Sequence, residues 1–278
     1  MELKPRYGND PVIVLDGTPA DIAGPAIRQR RRLATILSSF TADQWAHPSR
    51  CEGWSNRDVI VHLESATSFW AFAITAGVSG EPTQFLASFD PVASPAQFVA
   101  DSNDVSTEQL LERFGASTES LATVVNSLSE ADWSALAEAP AGHISVSAVV
   151  HHALWDSWVH ERDVLVPLGI APVVEADEVA ACLRYVAALG PALAINNGAT
   201  GVGTMVVSVT APELEFSVAV GTRVVVSNGA TGEGVRLAGD SVEVLEALSM
   251  RRPLDQEIPA DSRWMFYGLA EVFDAERR

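Results

Sequence analysis

The stretch Cys51-Glu52-Gly53-Trp54-Ser55-Asn56-Arg57-Asp58-Val59-Ile60-Val61-His62-Leu63 contains a chain break, a helix cap and the start of a helix in one short run. Pro48, Cys51 and Gly53 interrupt regular structure. Ser55 can accept from the backbone N–H groups of a first helical turn, and Asp58, three residues on, completes a capping box. A helix is therefore expected from about Asn56 to Ala76. His62 falls within it, between Val61 and Leu63, an apolar setting that puts the imidazole on or near the interior of whatever this helix packs against.

Three more helices flank this one. Upstream, Ile22 to Phe40 places Ile27, Leu33, Ile36 and Leu37 at helical spacing. That segment carries Arg28, Arg30, Arg31 and Arg32, the densest basic cluster in the chain, which reads first as a solvated helix face and second as a carboxylate-binding patch. Downstream, Ser106 to Leu128 has a broad apolar face, and Ser145 to Val166 runs up to Pro167 and Gly169. Between these two, Ala139-Pro140-Ala141-Gly142 is a loop by composition. Four helices joined in this way make an antiparallel four-helix bundle the economical expectation.

Past Pro172 the texture changes. Ala176 to Leu189 reads as one more helix, and β-branched residues then alternate through Met205 to Thr210, Leu214 to Val220 and Arg223 to Ser227. These are expected to be short antiparallel strands with turns at Gly221-Thr222 and Asn228-Gly229, followed by helices at Ser241 to Met250 and Trp264 to Phe273. The expected fold is α and α+β, with residues 1–170 a helical-bundle metal-binding domain and 171–278 an α+β domain. Val12 to Leu15 is a short extended run near the start.

Composition narrows the class. The 278 residues are 47% hydrophobic and 19% charged, a globular balance outside the disordered regime. The net charge of -18, from 36 acidic and 18 basic side chains, repels polyanions and anionic membrane surfaces, which argues against nucleic acid and membrane as partners. Cys51 and Cys182 are too few for a disulfide framework and imply a reducing compartment. Met1 to Asp10 has scattered charges and no apolar core of signal-peptide length, and no later stretch approaches a membrane span, so the expected location is cytoplasmic.

The chemistry is expected on the fourth helix, in His151-His152-Ala153-Leu154-Trp155-Asp156-Ser157-Trp158-Val159-His160-Glu161-Arg162-Asp163. Residues four apart share a helix face, so Asp156 and His160 point the same way, and His62 on a facing helix can join them. One carboxylate and two imidazoles suit zinc, iron, nickel or manganese and leave coordination positions for water or substrate. The alternative is a core histidine at His62 hydrogen-bonded to a carbonyl, beside an ordinary intrahelical pair of Asp156 and His160. His152, one turn earlier, is a fourth or competing ligand, although drift of the stripe around the helix favours Asp156 and His160. Asp163, one turn later, is placed to fix the tautomer of a ligand imidazole, or else to pair with Arg162 or Arg57 on the surface.

These two stretches resemble the signature motifs of the mycothiol-dependent maleylpyruvate isomerase N-terminal domain, within the DinB-like superfamily. The first is matched by Cys51, Gly53, Trp54, Ser55, Asp58, His62 and Leu63, the second by Asp156, His160 and Asp163. The resemblance covers roughly residues 25–168 and implies a divalent metal, zinc foremost, at His62, Asp156 and His160. The family isomerase has Glu where this chain has Asp156. The region from about Gly203 to Asp274 is similar, more weakly, to the C-terminal α+β domain of these enzymes, which resembles sterol-carrier domains. There the family's helper arginine is best matched by Arg251 or Arg252.

The resemblance further implies mycothiol or a similar low-molecular-weight thiol as cofactor and a small electrophilic molecule as substrate. The reaction is cis-trans isomerisation or S-transfer, by an isomerase or transferase that is a monomer or homodimer. The alternative from another class is a non-enzymatic small-molecule-binding protein with a structural metal.

Overall fold

The computed structural model describes residues 3–273. Residues 1–2 and 274–278, which fall at the ends of stretches considered above, lie outside them.

The N-terminal part is helical: α1 (Ala23–Leu37), α2 (Ala42–Ala46), α3 (Asn56–Val78), α4 (Ala93–Asp101), α5 (Thr107–Asn126) and α6 (Val146–Leu165). The capping box forms as the sequence dictates, with Asp58 N–H donating to Ser55 Oγ at 3.3 Å and Ser55 N–H donating to Asp58 Oδ2 at 2.9 Å. Both α1 and α3 pack on α5 and on α6. Leu33, Leu37, Val59, Ile60, Leu63, Leu110, Phe114, Val164 and Leu165 fill the space between them. Each such side chain contributes about 1.5–3 kcal/mol by leaving water, so packing of these faces holds α3 against α6.

The loop expected at Ala139 to Gly142 turns at Pro140-Ala141, and it joins two strands that were not expected, β2 (Leu136–Ala139) and β3 (Gly142–Ser145), as a hairpin. Each strand has four residues, too few for alternation to stand out from the sequence. Gly142 is obligatory there: its φ is +116°, and a Cβ would collide with the backbone of Arg6, which bridges to it.

The C-terminal part contains α7 (Ala176–Asn196), β4 (Gly203–Thr210), β5 (Leu214–Val220), β6 (Val224–Asn228), β7 (Val235–Asp240), α8 (Ser241–Leu248) and α9 (Trp264–Phe273). With β1 (Ile13–Leu15) these strands form one sheet in the order β1-β6-β5-β4-β7. The central pairs are antiparallel as expected, but both edges are parallel: β7 beside β4, and β1 beside β6 with Ile13 opposite Val224. The strand β1 thus crosses from the helical part of the chain to complete the sheet. Helix α7 continues past the expected end at Leu189, through Pro191 to Asn196. It packs on α6, α8, α9 and the sheet, and this packing outweighs the hydrogen bond that Pro191 removes.

The helices α3 and α7 are each long and apolar enough to cross a membrane by length and composition, a correction to the expectation that no stretch approaches a span. Their composition has another cause here. Of the most apolar window in α7, 78% is buried inside the protein, and of that in α3, 50%. A helix packed on several sides is apolar over most of its circumference.

Candidate metal centre

Helix α3 presents His62 towards Asp156 and His160 on α6. The Nε2 atoms of both histidines lie 3.6 Å from the same carboxylate oxygen, Asp156 Oδ1. The two imidazole centroids are 5.0 Å apart, nearly edge to face, and one ligand atom from each residue lies within 4.8 Å of the other two. At 3.6 Å neither contact is a hydrogen bond. The other oxygen, Asp156 Oδ2, is buried and has no hydrogen-bond partner. A buried carboxylate left without a hydrogen bond is costly, and a cation held by its carboxylate between the two imidazoles would offset that cost. Burial alone would raise the Asp156 pKa, but His62 and His160 overrule it and hold the carboxyl well below its usual range. The donor set therefore offers a carboxylate and two imidazoles, and the three side chains are 12–20% exposed.

The second layer is built around Asp163, which is fully buried. The Nδ1 of His160 lies 2.9 Å from Asp163 Oδ2. An ionised carboxylate only accepts, so the ring donates from Nδ1 and keeps the Nε2 lone pair for the cluster. Arg251 donates to both Asp163 oxygens, Nε to Oδ1 at 2.8 Å and Nη2 to Oδ2 at 2.7 Å. The Cys51 thiol donates to Oδ2 at 3.3 Å, and Arg50 Nε stands 3.6 Å from Oδ1. Burial, then the Asp163 charge, pushes the Cys51 thiol up to about 12. This favours the neutral thiol of Cys51 over its nucleophilic thiolate near pH 7.

The other residues singled out in the sequence separate clearly. His152 does not join the cluster: its Nδ1 meets the Tyr185 hydroxyl at 2.9 Å, and its ring packs against Trp70, Trp155 and Tyr185. The eight residues from His152 to His160 turn the helix by about 80° more than two full circles, which carries His152 off the face where Asp156 and His160 meet His62. Arg251 reaches the site, but Arg252 pairs with Glu243 at 2.6 Å and Asp255 at 3.0 Å. Asp163 pairs with neither Arg162, which stacks over Trp158, nor Arg57, which donates to the Ser102 and Val105 carbonyls.

The four arginines of α1 are engaged within the protein. Arg28 pairs with Asp177 and Glu178, Arg31 with Glu119, and Arg32 with Glu161 and Glu178. Arg30 is buried and donates to Thr67 Oγ1 on α3 and to the Ala153 carbonyl on α6. Arg50 as a neighbour of Asp163, and the Cys51 thiol as a neighbour of His160 and Asp163, were not foreseen. Cys51 opens the first signature motif, but its contacts were not legible, because the partners of both residues lie more than a hundred positions away in sequence.

The architecture and this cluster define a class: a helical domain with two histidines and a carboxylate on two facing helices, joined to a mixed sheet covered by α7. The chain belongs to the mycothiol maleylpyruvate isomerase N-terminal domain family, whose model matches residues 27–165. Two solved structures share the fold: the mycothiol-dependent maleylpyruvate isomerase and a variant of it with one histidine changed to alanine. Each superposes with a TM-score of 0.61 at 15% identity, over 87% of this chain and 95% of the other. No curated protein matches the chain.

Proposed function

We propose that this protein is a metal-dependent, thiol-dependent enzyme that acts on a small electrophilic molecule by cis-trans isomerisation, as in maleylpyruvate isomerase, or by S-transfer. The observation that carries the reading is the convergence of both imidazole Nε2 atoms on Asp156 Oδ1 at 3.6 Å, with Asp156 Oδ2 buried and partnerless and His160 Nδ1 already committed to Asp163. His62, Asp156 and His160 hold the ion, zinc foremost. The ion, when bound, supplies positive charge that favours the thiolate of mycothiol or a similar low-molecular-weight thiol.

The chain's own residues prepare the site for an external sulfur. Asp163 fixes the His160 tautomer, and Cys51, held as a neutral thiol, does not compete as nucleophile. The thiolate forms a C–S bond at one carbon of the substrate double bond while the π electrons move onto the conjugated carbonyl. Rotation about the resulting single bond and loss of the thiolate return the double bond in its other geometry. Retention of the C–S bond with protonation of the neighbouring carbon gives S-transfer instead.

The same reading assigns residues 1–170 to a DinB-like four-helix bundle domain and 171–278 to an α+β domain of sterol-carrier type, with β1 lent to its sheet. It places the protein in the cytoplasm as a monomer or homodimer. Its partners are small molecules; nucleic acid and membrane are disfavoured by the charge of -18. The test is turnover of maleylpyruvate by zinc-loaded protein with and without mycothiol. Thiol-dependent isomerisation that disappears in His62→Ala and His160→Ala supports the reading; equal turnover in these variants overturns it.

A further inference from the structure

We infer that Arg251 is a positioning residue, which holds the ligand imidazole of His160 through Asp163 and is presented by a strained turn at the end of α8. The inference rests on the metal reading above and gives this arginine a role other than contact with substrate.

The turn is unusual in its chemistry. Residues 246–251 close α8 with Arg251 N–H donating to the Glu246 carbonyl at 2.8 Å and Met250 N–H to the Ala247 carbonyl at 3.1 Å. In such a closure the residue at the Met250 position is left-handed, and glycine is the usual occupant. Here Met250 takes φ +63° with a full side chain. Strain of this kind persists where the surroundings over-determine the backbone, and it gathers at functional sites.

The surroundings do so here. Trp155 Nε1 on α6 donates to Ser249 Oγ at 2.9 Å, Arg50 Nη1 donates to Glu246 Oε1 at 2.9 Å, and Arg50 Nη2 donates to the Arg251 carbonyl at 3.3 Å. The turn is thus pinned to α6 and to the loop before α3, the two elements that bring the cluster together.

The guanidinium itself is occupied by protein. Nε and Nη2 bind the two oxygens of Asp163, Nη1 lies 3.4 Å from the Ser249 carbonyl, and Nη2 also touches Cys51 Sγ at 3.8 Å. Asp163 Oδ2, which accepts from Arg251 Nη2, is the same oxygen that accepts from His160 Nδ1. A carboxylate gripped at both oxygens by a planar fork cannot swing away from the imidazole. The C-terminal part of the chain thereby fixes the orientation of a ligand that belongs to the helical part.

The experiment is a double-mutant cycle on zinc affinity, read by chelator competition in full-length protein whose helical content is checked by circular dichroism. Arg251→Met and Asp163→Asn should each weaken zinc about 10–100-fold, the range for outer-shell partners. Arg251→Lys should lose less than Arg251→Met, and Arg251→Met should add less than about twofold in the Asp163→Asn background. In metal-free protein the His160 Nδ1–H resonance should exchange slowly in the wild type and broaden in Arg251→Met. Fully additive losses, or unchanged affinity and resonance in Arg251→Met with thiol-dependent turnover abolished, would overturn the inference while leaving the metal reading intact. A wild-type protein that binds no zinc would overturn both.

Discussion

His160 donates from Nδ1 to Asp163 Oδ2 over 2.9 Å, and the opposite nitrogen of the same ring faces Asp156. The acceptor at Asp163, rather than its charge alone, selects the tautomer. Asp163→Asn keeps an acceptor and Asp163→Leu does not. Zinc affinity should therefore fall further in the leucine variant, by about tenfold or more relative to asparagine. Chelator competition on the two variants measures this, and equal affinities would show that the tautomer does not depend on Asp163.

Asp156 supplies the only carboxylate in direct range of both histidines among the described residues. Asp156→Glu retains the oxygen donors on a longer arm and should retain bound metal after dialysis. Asp156→Ala should not, and elemental analysis of the two proteins distinguishes them. The fold should survive in both, since the helices are held together by apolar packing.

Glu138 is a buried carboxylate far from the cluster, and it accepts from Tyr7 Oη, Thr83 Oγ1 and the backbone N–H groups of Phe85 and Leu86 at 2.6–2.9 Å. Glu138→Ala strands all four donors. Urea unfolding should show a loss of about 3–5 kcal/mol, near the top of the range for a single substitution. Metal affinity should stay at the wild-type value.

His152 is buried, and burial depresses its pKa from 6.5 to about 4. Above pH 6.5 both folded and unfolded states hold it neutral. As pH falls through 6.5 the unfolded state takes up a proton that the folded state refuses, so stability drops until about pH 4 is reached. At pH 5 the loss from this group is about 2 kcal/mol. In metal-free protein the difference in unfolding free energy between pH 7 and pH 5 should shrink by about that amount in His152→Gln. An unchanged difference would show that His152 titrates normally in the folded state.

Local features of the sequence carried the centre a long way. The Ser55 and Asp58 box starts α3, and the four-residue spacing of Asp156 and His160 puts both on one face of α6, because both are properties of single helices. Contacts between distant segments were not legible. Nothing near Arg251 announces Asp163, and nothing near Val14 announces Val225 as its partner in the sheet. Four arginines within five positions of α1 looked like a surface feature, yet successive residues on a helix point about 100° apart. One of them had to turn inward, and Arg30 did.

The central claim is that an open metal site at His62, Asp156 and His160 accepts an external thiolate. Cobalt substitution tests it most directly: mycothiol is titrated into the cobalt-loaded protein while the near-ultraviolet absorption is followed. A sulfur-to-cobalt charge-transfer band should grow to saturation, more readily as pH rises and the thiol ionises, and should be absent in His62→Ala and His160→Ala. A cobalt spectrum that saturating thiol leaves unchanged at every pH where the protein is folded would contradict the account.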